Sequence, residues 1–267
     1  MGTLDGQTAI VTGAAQGLGK AFAECISAEG AKVYICDIKA EVNAVAEGIR
    51  DNGGQAEAFV ADVSNRSDVE NFVAAAAKDG IDILVNNAGK WKHTPVTSDW
   101  EQTLADYDEI INTNFKGVMY MSRAAIPHLI QSDKGNIVHI STYYVLPPKS
   151  NGTNPPLTDL YSASKWGLNG FTAAWSKTLE PHNVRVNALC MGATDTPMLR
   201  GLYEGDPPAN AVDSWMTPEQ IAGLLIDLVN EGPDGRTGEN IGAWVGVPVE
   251  LPPEQEPHHK ITGIPVG

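Results

Sequence analysis

Positive charge and long apolar runs are both scarce in this sequence. Its 267 residues contain 18 Lys and Arg against 33 Asp and Glu, which gives a formal net charge of −15 at pH 7. A surface of that sign repels the phosphates of nucleic acids and of anionic lipids. No stretch approaches the roughly twenty apolar residues of a membrane-spanning helix, and the first residues lack the pattern of a secretory signal. We expect no nucleic-acid or membrane partner and a cytoplasmic location.

Cysteine is scarce as well. Cys25, Cys36 and Cys190 are odd in number, lack the spacing of a metal site and lie within apolar segments. A free thiol in such a segment behaves as a small hydrophobic side chain. We therefore interpret all three as reduced core residues and expect no metal site.

Strand and helix patterns alternate along the chain. With 42% hydrophobic residues, the chain can bury a full core, and its length suits one large α/β domain. The apolar runs show little two-residue alternation, as expected of strands that are covered on both faces. We predict a three-layer α/β fold, a doubly wound parallel sheet of about seven strands, as a single domain over residues 1–267. The predicted strands are 8–11, 32–37, 56–60, 81–86, 136–141, 184–189 and 240–245, and a long helix is predicted over 160–180.

Two segments interrupt this alternation. The first, 146–158, is rich in Pro, Gly and Asn, and the second, the tail 247–267, is rich in Pro, Glu and His. Both patterns indicate surface excursions, which are more often functional or mobile than structural. We predict that the loop stands over a cleft, and the composition of the tail by itself is compatible with a disordered acidic segment.

A glycine-rich stretch, Thr12-Gly13-Ala14-Ala15-Gln16-Gly17-Leu18-Gly19, follows the first predicted strand. Glycine suits a turn that needs unusual backbone angles and a close approach to a ligand. The helix that follows offers unpaired N–H groups to a phosphate. The stretch therefore predicts a dinucleotide pyrophosphate site, and a glycine turn without a ligand is the alternative.

Asp37 ends the second predicted strand, a little under twenty residues after Gly19. A dinucleotide-binding unit places at this point the carboxylate that binds the adenosine ribose. Such a carboxylate accepts hydrogen bonds from the ribose hydroxyls of NAD and repels the 2′-phosphate of NADP, and Gln16 offers that phosphate no positive charge. We therefore predict NAD as the cofactor, the alternative being a solvated carboxylate at a strand end.

Tyr161 and Lys165 lie four residues apart, near the start of the predicted helix 160–180. This spacing puts the phenol and the ammonium on one helix face. A nearby cation stabilises a phenolate and lowers the pKa of tyrosine from about 10 toward working pH. Tyr161 is therefore a candidate general acid or base, although Tyr-x-x-x-Lys alone also fits a solvated helix face.

Together with several further motifs, these features resemble the short-chain dehydrogenase/reductase family over nearly the whole chain, residues 4–246. The resemblance implies a Rossmann-type sheet of seven strands and hydride transfer between NAD and an alcohol or carbonyl carbon. It also implies a homo-oligomer, either a tetramer or a dimer, and it leads us to expect that the tail 247–267 packs against an adjoining subunit, with a disordered tail as the alternative. The motifs, in the family's order, are Thr12-Gly13-x3-Gly17-x-Gly19, Asp62-Val63, Asn86-Asn87-Ala88-Gly89, Asn114-Phe115-Lys116-Gly117, Ile140-Ser141-Thr142, Tyr161-x3-Lys165 and Asn187-Ala188.

The resemblance also implies roles for individual residues. Tyr161 would take the substrate hydroxyl proton, Lys165 would lower its pKa and hold the nicotinamide ribose, and Asn114 would position a water. Thr142, at the end of the fifth strand, completes the implied catalytic set. The implied cofactor site consists of Gly13, Gln16, Gly17, Leu18, Gly19, Asp37, Asp62, Val63, Asn87, Ala88, Gly89, Tyr161, Lys165, Thr194 and Thr196.

The sequence departs from the family pattern at three places. Thr142 stands where the family has its catalytic serine, and its extra methyl restricts the side chain. Ser141 is the other candidate, and we favour Thr142 because strand alternation lets only one of the two point into the cleft. Met191-Gly192 replaces the Pro-Gly that the family usually has after the sixth strand. The acidic residue and the glycine pair that usually follow the last strand are missing at 243–246, and their absence puts the usual subunit contact in doubt.

The substrate is the least determined feature. Residues of the predicted substrate-loop region 191–216 and after the fourth and fifth strands line the pocket in this family. Cations there predict a polar or anionic substrate such as a sugar or sugar acid, with aromatic faces for a ring. A cyclic or aromatic secondary alcohol and a catalytically silent NAD-binding protein are the alternatives. The candidate substrate residues are Trp91, Lys92, His93, Thr142, Tyr143, Tyr144, Lys149 and Arg200.

A first prediction concerns the cofactor. We expect catalytic efficiency with NAD to exceed that with NADP by at least about tenfold, roughly 1.4 kcal/mol, because Asp37 meets the extra phosphate with like charge. Initial rates with both cofactors on one accepted alcohol measure the ratio. Comparable efficiencies would contradict the assignment of Asp37.

Overall fold

The computed structural model describes residues 2–146 and 156–243. Within them, seven parallel strands form one sheet in the order β3-β2-β1-β4-β5-β6-β7. This arrangement confirms the predicted doubly wound, Rossmann-type sheet. The strands are β1 (Thr8–Thr12), β2 (Lys32–Asp37), β3 (Gln55–Val60), β4 (Ile83–Asn86), β5 (Gly135–Thr142), β6 (Val184–Met191) and β7 (Asn240–Ala243).

Helices cover both faces of the sheet. Successive strand residues point to opposite faces, so in β1 Ala9 and Val11 pack into one apolar layer and Ile10 into the other. The first layer is closed by α1, α2 and α9, and the second by α3, α5 and α6. The helices are α1 (Gly17–Ala28), α2 (Val42–Asp51), α3 (Arg66–Ala76), α4 (Trp100–Ile111), α5 (Val118–Leu129), α6 (Asp159–Leu179), α7 (Pro197–Arg200), α8 (Ala209–Val212) and α9 (Pro218–Val229).

The strand order reverses between β1 and β4. The chain leaves β1 toward β2 and β3 and then returns to form β4 on the other side of β1. The connections that follow β1 and β4 therefore diverge at the carboxyl edge of the sheet, which is where open α/β sheets bind ligands. The glycine-rich stretch and Asn87 lie at this divergence.

The predicted elements agree closely with those observed. The predicted helix 160–180 is α6, and the predicted strands differ from the observed ones by one or two residues at their ends. The last predicted strand, 240–245, is seen as β7 to Ala243, and its final two residues lie outside the described residues. The same is true of 147–155, most of the predicted loop, and of the tail 247–267.

A histidine lies in the middle of β5 with no exposure to solvent. His139 Nδ1 is 3.2 Å from Asn86 Nδ2, and the imidazole packs edge-on against Trp175 with ring centroids 5.7 Å apart. Burial, followed by repulsion from Lys165, lowers the pKa of His139 to about 3. The imidazole is therefore neutral in the folded protein, and Nδ1 accepts the hydrogen bond from Asn86.

The buried histidine predicts a pH-dependent stability. An unfolded histidine takes up a proton near pH 6.5, whereas folded His139 does not until about pH 3. Its contribution to stability is therefore complete above pH 6.5 and is lost as pH falls toward 3. We expect His139→Asn, which keeps an acceptor for Asn86, to make stability less acid-sensitive by about 2 kcal/mol or more between pH 7 and 4.

Urea unfolding at pH 7, 5 and 4 measures this difference. His182→Asn is the matched control, because His182 is exposed. Parallel stability curves for the wild type and His139→Asn would show that burial of His139 does not control the acid response.

Candidate active site

Two adjoining cavities open at the carboxyl edge of the sheet. The first, of about 290 Å³, lies between the β1–α1 turn and the end of β2, and we call it the outer cavity. The second, of about 190 Å³, lies over the end of β5, and we call it the Tyr161 cavity. Both are lined by Leu18, Asn87, Gly89, Thr196 and Met198. One extended ligand can therefore occupy both.

Glycine is required in the turn between β1 and α1. Gly13 and Gly17 have φ angles of +67° and +56°, a region that favours glycine. A Cβ on Gly19 would lie 2.1 Å from the Gly13 carbonyl oxygen, so no side chain fits there. Gln16, at the N-cap of α1, makes no capping hydrogen bond to the first turn within the described part of the chain. The first N–H groups of α1 are thus left for a ligand.

Hydrogen bonds fix this turn to the end of β4. Thr12 Oγ1 accepts from the backbone N–H groups of Asn87 and Ala88, at 3.0 and 2.9 Å. In return, Asn87 Nδ2 donates to the carbonyl oxygens of Thr12 and Gly13, at 2.9 and 3.1 Å. The floor of the outer cavity is therefore rigid before any ligand binds.

Asp37 lies at the far end of the outer cavity. Its Oδ2 accepts from the Ala15 N–H and its Oδ1 from the Lys39 N–H, both at 3.0 Å, which orients the carboxylate. Lys39 Nζ reaches across and donates to Gln16 Oε1 at 3.1 Å. Sequence reasoning missed Lys39, although a cation two residues after the candidate ribose-binding acid was a visible signal.

The described residues fit the adenosine half of a nicotinamide dinucleotide. The turn offers free N–H groups and no Cβ, as a pyrophosphate requires, and Asp37 offers an oriented acceptor to a ribose. Most predicted cofactor residues line the outer cavity, while Gly19 lies beneath the turn, packed against it. Those in the lining are Gly13, Gln16, Gly17, Leu18, Asp37, Asp62, Val63, Asn87, Ala88, Gly89 and Thr196.

Tyr161, Thr142 and Lys165 meet in the Tyr161 cavity, together with Thr194. The Thr142 hydroxyl hydrogen-bonds to the Tyr161 phenol and also accepts from the Tyr144 N–H at 3.5 Å. Lys165 Nζ lies 5.8 Å from the centroid of the Tyr161 ring and donates to the Ile140 carbonyl at 2.8 Å. The end of β5 and the start of α6 thus bring three of the four predicted catalytic residues together.

The acidity of this cluster differs from the sequence-based expectation. Burial, followed by the neighbouring Tyr144, raises the pKa of Tyr161, and the Thr142 hydrogen bond opposes this rise only in part. Burial also lowers the pKa of Lys165 to about 8. In the protein alone the pKa of the phenol therefore lies above its usual value rather than below it, because desolvation of the phenol is the largest cause of the shift.

Asn114, the fourth predicted catalytic residue, is completely buried in a π-helical segment, Asn112–Gly117, between α4 and α5. Its Nδ2 donates to the Lys90 carbonyl at 2.9 Å and to Ser164 Oγ at 3.1 Å, while Oδ1 accepts from the Lys90 N–H at 2.7 Å. A Cβ on Gly89 would lie 3.5 Å from Asn114 Oδ1 and 3.6 Å from Lys165 Nζ. Asn114 and Lys165 therefore approach the same point of the backbone.

Ser141 and Thr142 contact different neighbours. Ser141 pairs in register with Cys190 on β6. Burial raises the pKa of the Cys190 thiol to about 12. Thr142 alone contacts the Tyr161 phenol, which agrees with the preference for Thr142 over Ser141 as the hydroxyl donor.

The predicted substrate residues divide into two groups. Trp91, Thr142, Tyr143 and Tyr144 line the Tyr161 cavity. The others do not lie in its described lining: His93 packs against Trp91 with ring centroids 4.8 Å apart, and Lys149 is outside the described residues.

The two remaining cations are bound by carboxylates of the chain itself. Lys92 Nζ lies 2.5 Å from the buried carboxylate of Asp106 and 3.4 Å from Glu109, both on α4. Arg200 forms two hydrogen bonds to Asp195, at 2.5 and 2.8 Å. Nearby carboxylates therefore neutralise both cations, and neither side chain is part of the described lining of the Tyr161 cavity.

Apolar side chains that sequence reasoning missed complete the Tyr161 cavity. They come from the end of β6 and from the segment that includes α7, within the predicted substrate-loop region 191–216. The apolar pattern of this segment was the available signal. The side chains are Met191, Ala193, Met198, Leu199 and Leu202.

Two further classes of site were sought in residues 2–146 and 156–243. No helix there combines the length and the apolar composition that crossing a membrane requires. In the same residues, no three His, Cys, Asp or Glu side chains are grouped so that they could hold a metal ion.

Comparison with known proteins identifies the family. Residues 7–207 match the family model for short chain dehydrogenases. The chain is 31% identical over 251 residues to the 3-oxoacyl-[acyl-carrier-protein] reductase of Thermotoga maritima, covering 90% of this chain and 96% of that protein. It is 34% identical over 216 residues to a cyclopentanol dehydrogenase of a Comamonas species, covering 79% and 82%.

A solved structure gives the same result. The short chain dehydrogenase of Burkholderia cenocepacia, crystallised in complex with NADP, superposes with a TM-score of 0.76 at 32% identity, covering 90% of this chain and 97% of that one. The comparisons of sequence and of fold therefore point to the same family. The chain belongs to the short-chain dehydrogenase/reductase family of oxidoreductases, whose fold binds a nicotinamide cofactor.

Proposed function

We propose that this protein is an NAD-dependent dehydrogenase that oxidises the CH–OH group of a cyclic, mainly apolar secondary alcohol. The observation that carries this proposal is the hydrogen-bonded pair Tyr161–Thr142 at the base of a cavity walled by aromatic and aliphatic side chains. The pair offers a proton acceptor and a hydroxyl to one substrate oxygen, and the walls suit a ring.

Tyr161 and Thr142 have the central roles in the proposed reaction. Tyr161 accepts the proton of the substrate hydroxyl, and the Thr142 hydroxyl donates its one hydrogen bond to the substrate oxygen. When bound, the oxidised nicotinamide would supply the hydride acceptor and a positive charge. Burial raises the pKa of the phenol, so Tyr161 is protonated in the protein alone.

Lys165 and Asn114 support this pair. The Ile140 carbonyl orients Lys165, which holds the nicotinamide ribose. Because its pKa is lowered to about 8, the Lys165 ammonium can release and take up a proton near neutral pH. Asn114, fixed by the Lys90 backbone, orders the path by which a proton leaves toward solvent. Both roles follow the family resemblance and are supported by the proximity of the two side chains to Gly89.

The preference for NAD rests on the Asp37 carboxylate. Backbone N–H groups orient both of its oxygens at the end of the outer cavity. An oriented carboxylate binds a ribose diol well and a 2′-phosphate poorly, because the latter brings like charge. The NADP in the Burkholderia cenocepacia structure belongs to that protein.

We favour a substrate with an apolar ring because carboxylates of the chain already bind the two nearby cations. An anionic sugar acid needs a free cation, and Lys92 and Arg200 are both held by carboxylates of the chain. The side walls of the Tyr161 cavity are instead Trp91, Tyr143 and the apolar side chains of the 191–216 region. A cyclopentanol dehydrogenase among the relatives is consistent with such a substrate.

Two other functions are less well supported. Reduction of a thioester on an acyl carrier protein requires a basic docking face for an acidic partner, and the net charge of −15 opposes one. A catalytically silent binding protein would be expected to lose the tyrosine or the lysine, and this chain keeps Tyr161, Lys165 and Asn114. The retained set favours an enzyme.

A homo-oligomer and a cytoplasmic location complete the proposal. Trp100, Leu104 and Tyr107 lie on one face of α4 at i, i+4 and i+7 and are 76%, 58% and 48% exposed in the single chain. Trp166 on the neighbouring α6 is 40% exposed. Large apolar side chains grouped on a surface are typical of a contact with another chain, and this face supports association of identical subunits.

A substrate screen tests the proposed reaction. We expect NADH formation from cyclic or aromatic secondary alcohols, at higher kcat/KM than from sugars or sugar acids. We expect Tyr161→Phe to lower kcat by about 10² or more with NAD binding retained, because the proton acceptor is lost. Tyr120→Phe, which removes a hydroxyl on α5, is the control. A preference for sugar acids would refute the substrate class, and NAD binding without turnover of any alcohol would favour a silent protein.

A second test separates the two hydroxyls of β5. We expect Thr142→Ala to lower kcat by about 10² or more, because Tyr161 and the substrate oxygen lose a hydrogen-bond donor. Ser141→Ala should cost much less, because its neighbour is the Cys190 thiol. Thr142→Ser restores the hydroxyl and should recover most of the rate. A larger loss from Ser141→Ala than from Thr142→Ala would assign the role to Ser141.

A further inference from the structure

Lys39 is distinctive among the basic side chains that line the outer cavity. Lys90, which also lines it, forms an ion pair with Glu109 at 3.5 Å. Within the described ranges, Lys39 belongs to no ion pair, and its ammonium donates to the neutral amide oxygen of Gln16 at 3.1 Å. Lys39 therefore carries a positive charge at the mouth of the cavity that no carboxylate neutralises through direct contact.

The position of this charge is well defined. The Lys39 N–H donates to Asp37 Oδ1, so its backbone is fixed beside the candidate ribose-binding carboxylate. The side chain then spans the mouth to Gln16, at the N-cap of α1. The ammonium, the Gln16 amide and the Asp37 carboxylate thus border one end of the outer cavity. An anion next to the ribose would meet one attractive charge and one repulsive charge.

We propose that Lys39 and Gln16 form an anion subsite suited to a ribose 2′-phosphate, and that the Asp37 carboxylate keeps this subsite from being used. The proposal rests on the proposed nicotinamide cofactor and deepens it. An ammonium and a side-chain amide both donate hydrogen bonds to phosphate oxygens, since the Gln16 amide also carries an NH₂ group. The carboxylate offers no donor and repels the phosphate. Cofactor choice then depends on a single negative charge rather than on the lack of a cation.

The proposal has a specific consequence. In a site without a cation, removal of Asp37 would weaken NAD binding and leave NADP binding poor. In this site, removal of the same carboxylate exposes a phosphate to Lys39, and affinity for the 2′-phosphate rises without any new basic residue. Lys39 is thereby a specificity-determining residue.

Equilibrium binding of two small nucleotides tests this directly. The probes are 5′-AMP and 2′,5′-ADP, which differ only in the 2′-phosphate, and calorimetric titration of the full-length protein needs no substrate. We expect the wild type to bind 2′,5′-ADP at least about tenfold more weakly than 5′-AMP. Asp37→Asn should strengthen 2′,5′-ADP binding at least about tenfold, and adding Lys39→Met should remove most of that gain while 5′-AMP affinity changes little.

Two further variants serve as an alternative and as a control. Asp37→Ser repeats the loss of charge with a smaller side chain in case Asp37→Asn does not fold. Lys78→Met in the Asp37→Asn background is the matched control, because Lys78 is exposed after α3, away from the outer cavity, and the change in net charge is the same. The gain in 2′,5′-ADP affinity should survive Lys78→Met and should decrease as salt is raised.

Each result has one interpretation. If neither Asp37 variant gains affinity for 2′,5′-ADP, or if Lys39→Met leaves the gain intact, the subsite does not exist, while continued 5′-AMP binding leaves the proposed cofactor site standing. If the wild type binds neither nucleotide nor NAD, the proposed function itself fails, and this inference fails with it.

Discussion

The junction between Thr12 and Asn87 is the interaction on which the rest of the site depends. Thr12 ends β1 and Asn87 follows β4, the two strands between which the sheet order reverses. Four hydrogen bonds join Thr12 and Gly13 to Asn87 and Ala88: two backbone N–H groups donate to the Thr12 hydroxyl, and the Asn87 side-chain amide donates to two carbonyl oxygens. Because these bonds use side chains to satisfy loop backbone groups, the glycine turn has a fixed shape without a ligand. Both cavities are built against this fixed edge.

The two cavities differ in how they treat charge. In the outer cavity, polar groups remain near solvent, and backbone N–H groups orient Asp37. In the Tyr161 cavity, burial dominates, so that the phenol of Tyr161 resists ionisation and Lys165 loses its proton more easily. Low polarity makes each charge there costly and each opposite charge effective. A ligand that carries positive charge into this cavity therefore changes its proton chemistry more than any surface residue can.

Much of the fold and the grouping of the site could be predicted from the sequence. Apolar runs gave strand positions to within one or two residues, since parallel strands buried on both faces have strong and simple patterns. Tyr161 and Lys165 share a helix face by spacing alone, and Gly13 and Gly17 occupy the backbone angles that suggested a ligand turn. The direction of the Tyr161 pKa shift could not be predicted, because it depends on how much of the phenol the surrounding elements bury.

The ion pairs of the basic side chains show that a sequence does not reveal which cations remain free to bind a ligand. Position along the chain placed Lys92 and Arg200 near the cleft, yet carboxylates on α4 and at Asp195 hold them. In a chain with 33 acidic residues and 18 basic ones, a cation readily meets a carboxylate of its own protein. Lys92 is paired with Asp106 on α4, and the Lys90 backbone is bonded to Asn114, so both chain neighbours of Trp91 are tethered to the rest of the fold. The cation that suggested an anionic substrate thus helps to fix the segment whose Trp91 lines the Tyr161 cavity.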